Sequence, residues 1–162
     1  MKSNRRYYEA NVLVVPLGDS GASAFAQMTG LGLTGVRSLE TELQPDGGAG
    51  PCRVVTADGD AKATTLAEAV DDADVVVLLA SELAEAPTGL IRGATAAARD
   101  AGDLVAAVTV GTTDTETSEA REALAVLRSE VDMLVSVRQP SLGAAFLDVV
   151  RGGRREAAGT LS

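Results

Sequence analysis

Histidine and tryptophan are absent from this 162-residue sequence, and only two tyrosines, two phenylalanines and one cysteine occur in it. Without histidine, the chain lacks the most frequent general base and the most frequent metal ligand of proteins. The single cysteine, Cys52, excludes an internal disulfide and a cysteine-based zinc site. The nearby Gly50 and Pro51 favour an unreactive thiol in a loop or at a strand edge. We therefore expect no catalytic residues and no metal site.

Lysine is scarce as well. Only Lys2 and Lys62 occur among 14 basic residues, which face 23 acidic ones and leave a net charge of −9. Because nucleic acids bind basic surfaces, this balance excludes a nucleic-acid partner. Many acids, few lysines and small apolar side chains favour a salt-adapted protein of the halophilic, archaeal kind, in which counter-ions screen self-repulsion. A GC-rich genome that enriches alanine, glycine and arginine codons is the alternative explanation.

Long apolar runs are also missing. No stretch approaches the roughly 18 apolar residues of a membrane span, and the basic start of the chain leads into no signal-peptide core. We therefore expect a cytoplasmic protein. The length fits one domain. We predict a basic N-terminal tail over 1–10, a folded domain over 11–150 and a glycine-rich, charged, flexible tail over 151–162.

Apolar runs alternate with helical patterns along the folded part. Val12–Leu17 and Asp74–Ala80 ("DVVVLLA") are typical of strands that are covered on both faces. Further strands are predicted at 36–41, 53–56, 104–110 and 131–137, helices at 20–31, 64–71, 87–101, 115–128 and 141–150, and a loop at 44–51. This order predicts an α/β fold with a doubly wound, mostly parallel, Rossmann-like sheet.

Ligands of such sheets bind beyond the carboxyl ends of the strands, so the loops there are the candidate sites. The first loop contains Gly18, Asp19, Ser20 and Gly21. Its glycines permit close backbone approach, and the following helix offers free N–H groups to an anion. However, no lysine completes a P-loop, which excludes a P-loop ATPase, and the Rossmann glycine pattern is incomplete. Asp19 or Ser20 is equally explained as a helix cap without a ligand.

Two later loops have similar alternatives. In the threonine-rich loop after Val110, Thr115 or Thr117 precedes acidic residues, which favours a helix cap over a ligand site. In the loop after Val137, Arg138 and Gln139 have side chains that can hydrogen-bond a ligand. The adjacent proline at position 140 is alternatively the first residue of the last helix.

Residues 72–110, "DADVVVLLASELAEAPTGLIRGATAAARDAGDLVAAVTV", resemble the centre of the GTPase domain of the FtsZ/tubulin superfamily. Upstream, "VLVVPLGDSGASAFAQM" is similar to the opening strand and first nucleotide loop of FtsZ, with Gly18 and Gly21 retained. Downstream, "AREALAVLRSEVDMLVSVRQPSL" is similar to a later helix and strand, with Val131, Asp132 and Leu134 matching. The resemblance covers about residues 10–142.

This resemblance implies a guanine nucleotide, GTP or GDP, as the cofactor. The nucleotide-binding positions it implies are Gly18, Asp19, Ser20, Gly21, Thr88, Gly89, Arg138 and Gln139. The FtsZ phosphate loop GGGTGTG falls on Leu83–Gly89, where only Thr88 and Gly89 match. Glu82 and Glu85 oppose a phosphate there, since a carboxylate about 5 Å away costs roughly 1–3 kcal/mol. Pro87 also removes an N–H donor.

The second domain and the catalytic loop of FtsZ-like proteins have no counterpart in the sequence. We therefore expect a divergent FtsZ-like protein that does not hydrolyse GTP and binds it weakly or not at all. It would act as a cytoskeletal or cell-division-associated interaction module, through self-association or FtsZ-type partners. A small Rossmann-like binder of another nucleotide and an enzyme remain the alternatives. The enzyme would be a GTPase active only after assembly, or an oxidoreductase subunit.

The charge balance predicts that stability depends on salt. Nine excess negative charges repel one another with little screening at 0.01 M salt, where the Debye length is about 30 Å. We expect the melting temperature, followed by circular dichroism, to rise strongly between dilute buffer and molar KCl. A melting temperature that stays constant over this range would contradict the salt-adapted interpretation.

Overall fold

A seven-stranded sheet with helices on both faces forms the core of the computed structural model, which describes residues 10–56, 59–111 and 115–152. The strands are β1 (Val12–Pro16), β2 (Val36–Leu43), β3 (Ala49–Val55), β4 (Ala61–Thr64), β5 (Val75–Ala80), β6 (Leu104–Val110) and β7 (Met133–Val137). The helices are α1 (Gly18–Gly30), α2 (Leu66–Asp71), α3 (Thr88–Ala101), α4 (Ser118–Glu130) and α5 (Pro140–Val150). The predicted α/β class is confirmed.

The strands follow the order β4-β3-β2-β1-β5-β6-β7 across the sheet. β2, β1, β5, β6 and β7 are parallel, whereas β3 and β4 run antiparallel to their neighbours. From β1 the chain moves to β2 on one side, and from β5 it moves to β6 on the other. The carboxyl ends of β1 and β5 therefore flank the topological switch point, where ligands of doubly wound sheets bind.

The antiparallel strands β3 and β4 are the main departure from the sequence prediction. The loop predicted over 44–51 is shorter, because residues 49–51 already belong to β3. β4 was not predicted, and Thr64, which was assigned to a helix, is its last residue. No residue of β4 is buried, so the strand leaves no apolar pattern in the sequence and exists through its pairing with β3.

Cys52 also differs from its predicted setting. It lies within β3 and is buried in the core between the sheet and α2 and α3, rather than in a loop or at a strand edge. Its Sγ atom lies 3.4 Å from the hydroxyl oxygen of Thr41 on the neighbouring strand β2.

Two hydrophobic layers hold the helices on the sheet. On one face, α1 and α5 contribute Met28 and Leu147 to the core. On the other face, α2, α3 and α4 contribute a larger set that includes Leu90, Ile91 and Leu127. Every residue of β5 is buried, because this central strand is covered on both faces.

Side-chain caps begin α2 and α4, whereas α1, α3 and α5 begin without one; the N-cap position of α1 is Leu17, so neither Asp19 nor Ser20 caps it. α2 begins with a capping box in which the Thr65 hydroxyl accepts from Glu68 N and the Glu68 carboxylate accepts from Thr65 N. Thr117 caps α4 by accepting a hydrogen bond from Ala120 N at 3.1 Å, which confirms the capping interpretation of that loop. Gly102 ends α3 with a left-handed φ of 79°. Residues 112–114 lie outside the described part.

A polar contact joins α3 to the end of α4. The Glu130 carboxylate accepts hydrogen bonds from Arg99 Nη1 at 3.0 Å and from Thr95 Oγ1 at 3.2 Å. Arg99 Nη2 also donates to the Glu130 carbonyl oxygen at 2.7 Å. The Arg99 guanidinium, assisted by the Thr95 hydroxyl, lowers the pKa of Glu130 below its ordinary value of 4.5, although burial acts in the opposite direction.

We predict that Glu130→Gln destabilises the protein at pH 7 and that its difference from the parent narrows in acid. A carboxylate with a lowered folded-state pKa stabilises fully above its unfolded value, near 4.5, and loses this contribution as the pH falls through the folded value. Urea denaturation between pH 7 and pH 3 measures the difference. The exposed Glu122 of the same helix serves as the control, and Glu122→Gln should have the smaller effect. A constant difference for Glu130→Gln at all pH values would contradict the prediction.

Candidate functional site

The loops that leave β1 and β5 meet at the switch point, and Ser20 joins them. The Ser20 hydroxyl accepts a hydrogen bond from Glu82 N at 3.0 Å. The backbone N–H of Ser20 donates to Glu85 Oε1 at 3.3 Å. The first predicted nucleotide loop and the predicted phosphate loop thus lie side by side. The two loops are joined to each other by these hydrogen bonds.

A carboxylate group of the same chain lies at the amino end of α1. The first turn of a helix has N–H groups without helical partners and carries a partial positive charge. These two properties make such a turn suitable for a phosphate. In this protein the Glu85 carboxylate lies there and accepts from Ser20 N. A negatively charged side chain therefore stands where an anionic ligand would bind.

Gly18 and Gly21 are both required by close approach of the protein's own backbone. Gly18 has a φ of 79°, and a Cβ atom on it would lie 2.9 Å from the Glu85 carbonyl oxygen. A Cβ atom on Gly21 would lie 2.5 Å from the carbonyl oxygen of Leu79 in β5. Gly21 lets α1 pack directly on the end of β5, and Gly18 admits the turn that follows β5. Their presence needs no bound nucleotide.

Gly89, in α3, is likewise required by the close approach of the protein's own backbone. A Cβ atom there would lie 2.7 Å from the Asp46 carbonyl oxygen, at the tip of the β2–β3 hairpin. The tip is closed by hydrogen bonds from Gln44 N to Gly48 O at 2.8 Å and from Gly48 N to Asp46 Oδ1 at 2.9 Å. The hairpin tip therefore covers the amino end of α3, which begins at Thr88.

The segment predicted as the phosphate loop contributes to the core. Leu83–Glu85 forms a single 3-10 turn that packs mainly against α4, and Leu83 and Ala86 are buried in the core on that face of the sheet. Both predicted acids are exposed, but only the Glu85 side chain is hydrogen-bonded to the end of α1, whereas Glu82 contacts Ser20 through its backbone N–H. Pro87 precedes the first residue of α3. This turn is shaped by its apolar side chains and does not form an open glycine cradle.

Arg138 and Gln139 follow β7, which is separated from β1 by β5 and β6. Three strand spacings amount to roughly 14 Å. Both residues are exposed, and Gln139 precedes α5, where its carbonyl oxygen accepts from Leu142 N and Gly143 N. Pro140 is the first residue of α5, as the structural alternative predicted. No described contact joins this pair to the loop after β1.

A cleft of about 550 Å³ lies between α1 and the outer strands β2 and β3, next to the switch point. Two carboxylates and several hydroxyls line it, with no lysine or arginine among the lining residues; the polar ones are Asp19, Thr29, Ser38, Glu40, Thr41 and Thr56. Glu40 also forms an ion pair with Arg53. This lining favours a neutral or cationic small molecule over a phosphate.

Sequence reasoning missed the β2 part of this cleft, although a signal was present. Glu40 follows Gly18 by about 20 residues, which is the spacing of the ribose-binding acid in Rossmann folds. Because the glycine pattern around Gly18 is incomplete, this spacing was not interpreted as a ribose-binding site.

Within the described ranges, no three histidine, cysteine, aspartate or glutamate side chains come together in a group suited to a metal ion. Helices of the length and apolar character needed to cross a membrane do not occur in the same ranges. Comparison with protein-family models yields no match, and comparison with curated proteins yields none either. The resemblance to FtsZ therefore stays a prediction.

We predict that Gly21→Ala destabilises the protein by about 1–3 kcal/mol, because the new methyl group meets backbone that has no room to move. Gly30, at the other end of the same helix, is the matched control, since a Cβ atom there meets no atom within 4 Å. Gly30→Ala should leave the stability unchanged or raise it by up to about 1 kcal/mol. Urea denaturation compares the two variants, and equal effects would contradict the packing role of Gly21.

Proposed function

We propose that this protein is a non-hydrolysing interaction module on a Rossmann-like sheet, related to FtsZ-type proteins, in which nucleotide phosphate binding is lost or weak. The observation that carries the proposal is the Glu85 carboxylate at the amino end of α1, hydrogen-bonded to Ser20 N. A phosphate would have to displace this carboxylate or accept its repulsion.

The backbone supports the same conclusion independently of charge. The Glu85 carbonyl lies against Gly18, and the hairpin tip lies against Gly89. Removal of one side chain therefore leaves both glycines in contact with protein. Because α3 and the turn before it contribute buried residues to the core, the loop cannot open without loss of apolar contacts.

Hydrolysis is disfavoured on chemical grounds. The sequence has no histidine, and the acids at the switch point are exposed, with Glu85 also hydrogen-bonded to Ser20 N. Nothing in this arrangement pairs a general base with a water molecule beside a phosphate. A cytoskeletal or division-associated role, with GTP or GDP optional and protein partners, follows from the FtsZ resemblance alone. The cytoplasm is the compartment that fits this role.

The acidic cleft favours a second candidate function, the binding of a small neutral molecule such as a nucleoside. Ser38 and Glu40, two residues apart on β2 and therefore on the same face of the strand, present a hydroxyl and a carboxylate group that can bind a diol. A nucleoside has a sugar and a base but no phosphate to be repelled. An enzymatic role would require a further reactive group.

Calorimetric titration tests the proposal. We expect GTP and GDP to bind the parent and the Glu85→Gln variant with dissociation constants no lower than about 100 µM, which corresponds to roughly −5.5 kcal/mol. In the variant, the protein's own backbone still lies against Gly18 and Gly89. Glu82→Gln is the matched control, since it removes the same charge from a side chain that does not reach α1. Phosphate release should stay below about 0.01 per second, well under usual turnover.

Low-micromolar binding of GTP to the parent would contradict the proposal. Gain of GTP binding by Glu85→Gln but not by Glu82→Gln would show that the carboxylate alone closes the site. Titration with guanosine and adenosine addresses the second candidate. Binding of a nucleoside without its phosphorylated form would favour the cleft.

A further inference from the structure

The two edge strands of the sheet differ in how well they are protected against pairing with a strand of another chain. An edge strand presents unpaired N–H and C=O groups, and soluble proteins commonly protect it with lysine or keep it very short. At one edge, β4 has four residues and contains Lys62. At the other edge, β7 ("MLVSV") has no charged residue, and no strand of the described residues pairs with its outer side.

The helix that packs near this unprotected edge, α5, carries an exposed apolar stripe. Leu142 is 53% exposed and Val149 is 75% exposed. Ala145 between them is exposed too, and this spacing places all three on one face of the helix. α5 packs against α1 and also contacts β6 and β7. Its one charged residue, Asp148, is paired with Arg151 at 2.6 Å.

This edge and stripe differ from the rest of the chain in charge. The protein carries a net charge of −9, yet residues 133–150 contain one arginine and one aspartate and therefore no net charge. Two copies of so acidic a chain repel each other at most orientations. The repulsion is weakest where these residues face each other, which makes a second copy of the chain a suitable partner.

We propose that β7 and the α5 stripe (Leu142, Ala145 and Val149), together the β7–α5 surface, join two copies of this chain into a symmetric dimer. β7 would pair with β7 of the second copy in antiparallel orientation, about a two-fold axis perpendicular to the sheet. This axis keeps both α5 helices on the same face and makes them antiparallel. Leu142 of each copy then lies towards Val149 of the other.

Charge complementarity selects the register. If Val135 lies opposite itself, Asp132 lies opposite Arg138 of the second copy, and the same pair forms at the other end. Opposite charges across a strand pair stabilise it. Arg138 is exposed, and Asp132 is exposed and uses one carboxylate oxygen, Oδ2, to accept from Val105 N at 2.9 Å. Its other oxygen can accept from an arginine.

The inference deepens the proposed function in one respect, because it names the partner of the interaction module. It is independent of whether nucleotide binds. Sedimentation equilibrium of the full chain tests it. At about 100 µM chain, a concentration suited to an interface of the small, transient class, we expect a species of twice the 16.4 kDa chain mass.

The apolar arm of the test uses Leu142→Gln with Val149→Gln. Both side chains are exposed, so the double variant should fold normally and bind itself at least about tenfold more weakly, since two apolar contacts per copy are lost. Leu43→Gln is the matched control, because Leu43 is 48% exposed on β2, away from β7. The control should dimerise within about twofold of the parent.

The charge arm uses Arg138→Glu and Asp132→Arg, at the lowest KCl concentration at which the chain is folded. Each variant alone places like charges opposite each other and should dimerise more weakly, whereas an equimolar mixture restores both opposite-charge pairs and should form the heterodimer. Lys62→Glu, on the opposite edge, is the control for the change in net charge. A monomeric parent at about 100 µM, or a dimer that the apolar double variant leaves intact, would overturn the proposal and leave the nucleotide results standing.

Discussion

The close approach of α1 to the end of β5 is the constraint on which the switch point depends. Gly21 brings the helix backbone against the Leu79 carbonyl, and Leu17 N donates to the same carbonyl oxygen at 2.8 Å. With the helix so placed, its first turn points at the chain that leaves β5. Ser20 N then donates to the Glu85 carboxylate, and the Ser20 hydroxyl accepts from Glu82 N. The space that a phosphate would need is thereby used within the protein.

A glycine-containing turn in this protein does not by itself indicate a phosphate site. In a phosphate site, glycines admit the ligand; here the same residue type admits a carbonyl group of another loop. Both uses exploit the missing Cβ atom, and Gly18 also has a left-handed φ, so they leave similar traces in a sequence. Gly18 and Gly89 consequently resemble nucleotide-binding positions while they contact Glu85 and the hairpin tip.

The distribution of charge differs between regions of the surface and affects which partners each region can contact. The acidic cleft beside α1 disfavours phosphate, and the acidic surface as a whole disfavours contact with another copy of the chain. The uncharged edge at β7 and the apolar stripe on α5 are the exception. The proposed loss of phosphate binding and the proposed self-association therefore rest on different parts of the same sheet.

The sequence alone determined the parts of the fold that rest on local chemistry. The apolar run of β5 predicted a buried strand, Thr115 or Thr117 was expected to cap a helix, and Pro140 suited a first helical turn; the structure has each of these features, with Thr117 as the cap. The predicted parallel sheet followed from the alternation of such elements.

Tertiary structure decided what depends on distant residues. β4 exists only through pairing with β3, and Gly89 is needed because the hairpin tip crosses it. Glu85 was expected to repel a phosphate, but its hydrogen bond to Ser20 N appears only when β1 and β5 are neighbours. Arg138 and Gln139 are held apart from Gly18 by two intervening strands. Contacts between residues far apart in the chain depend on strand order, and no local pattern records them.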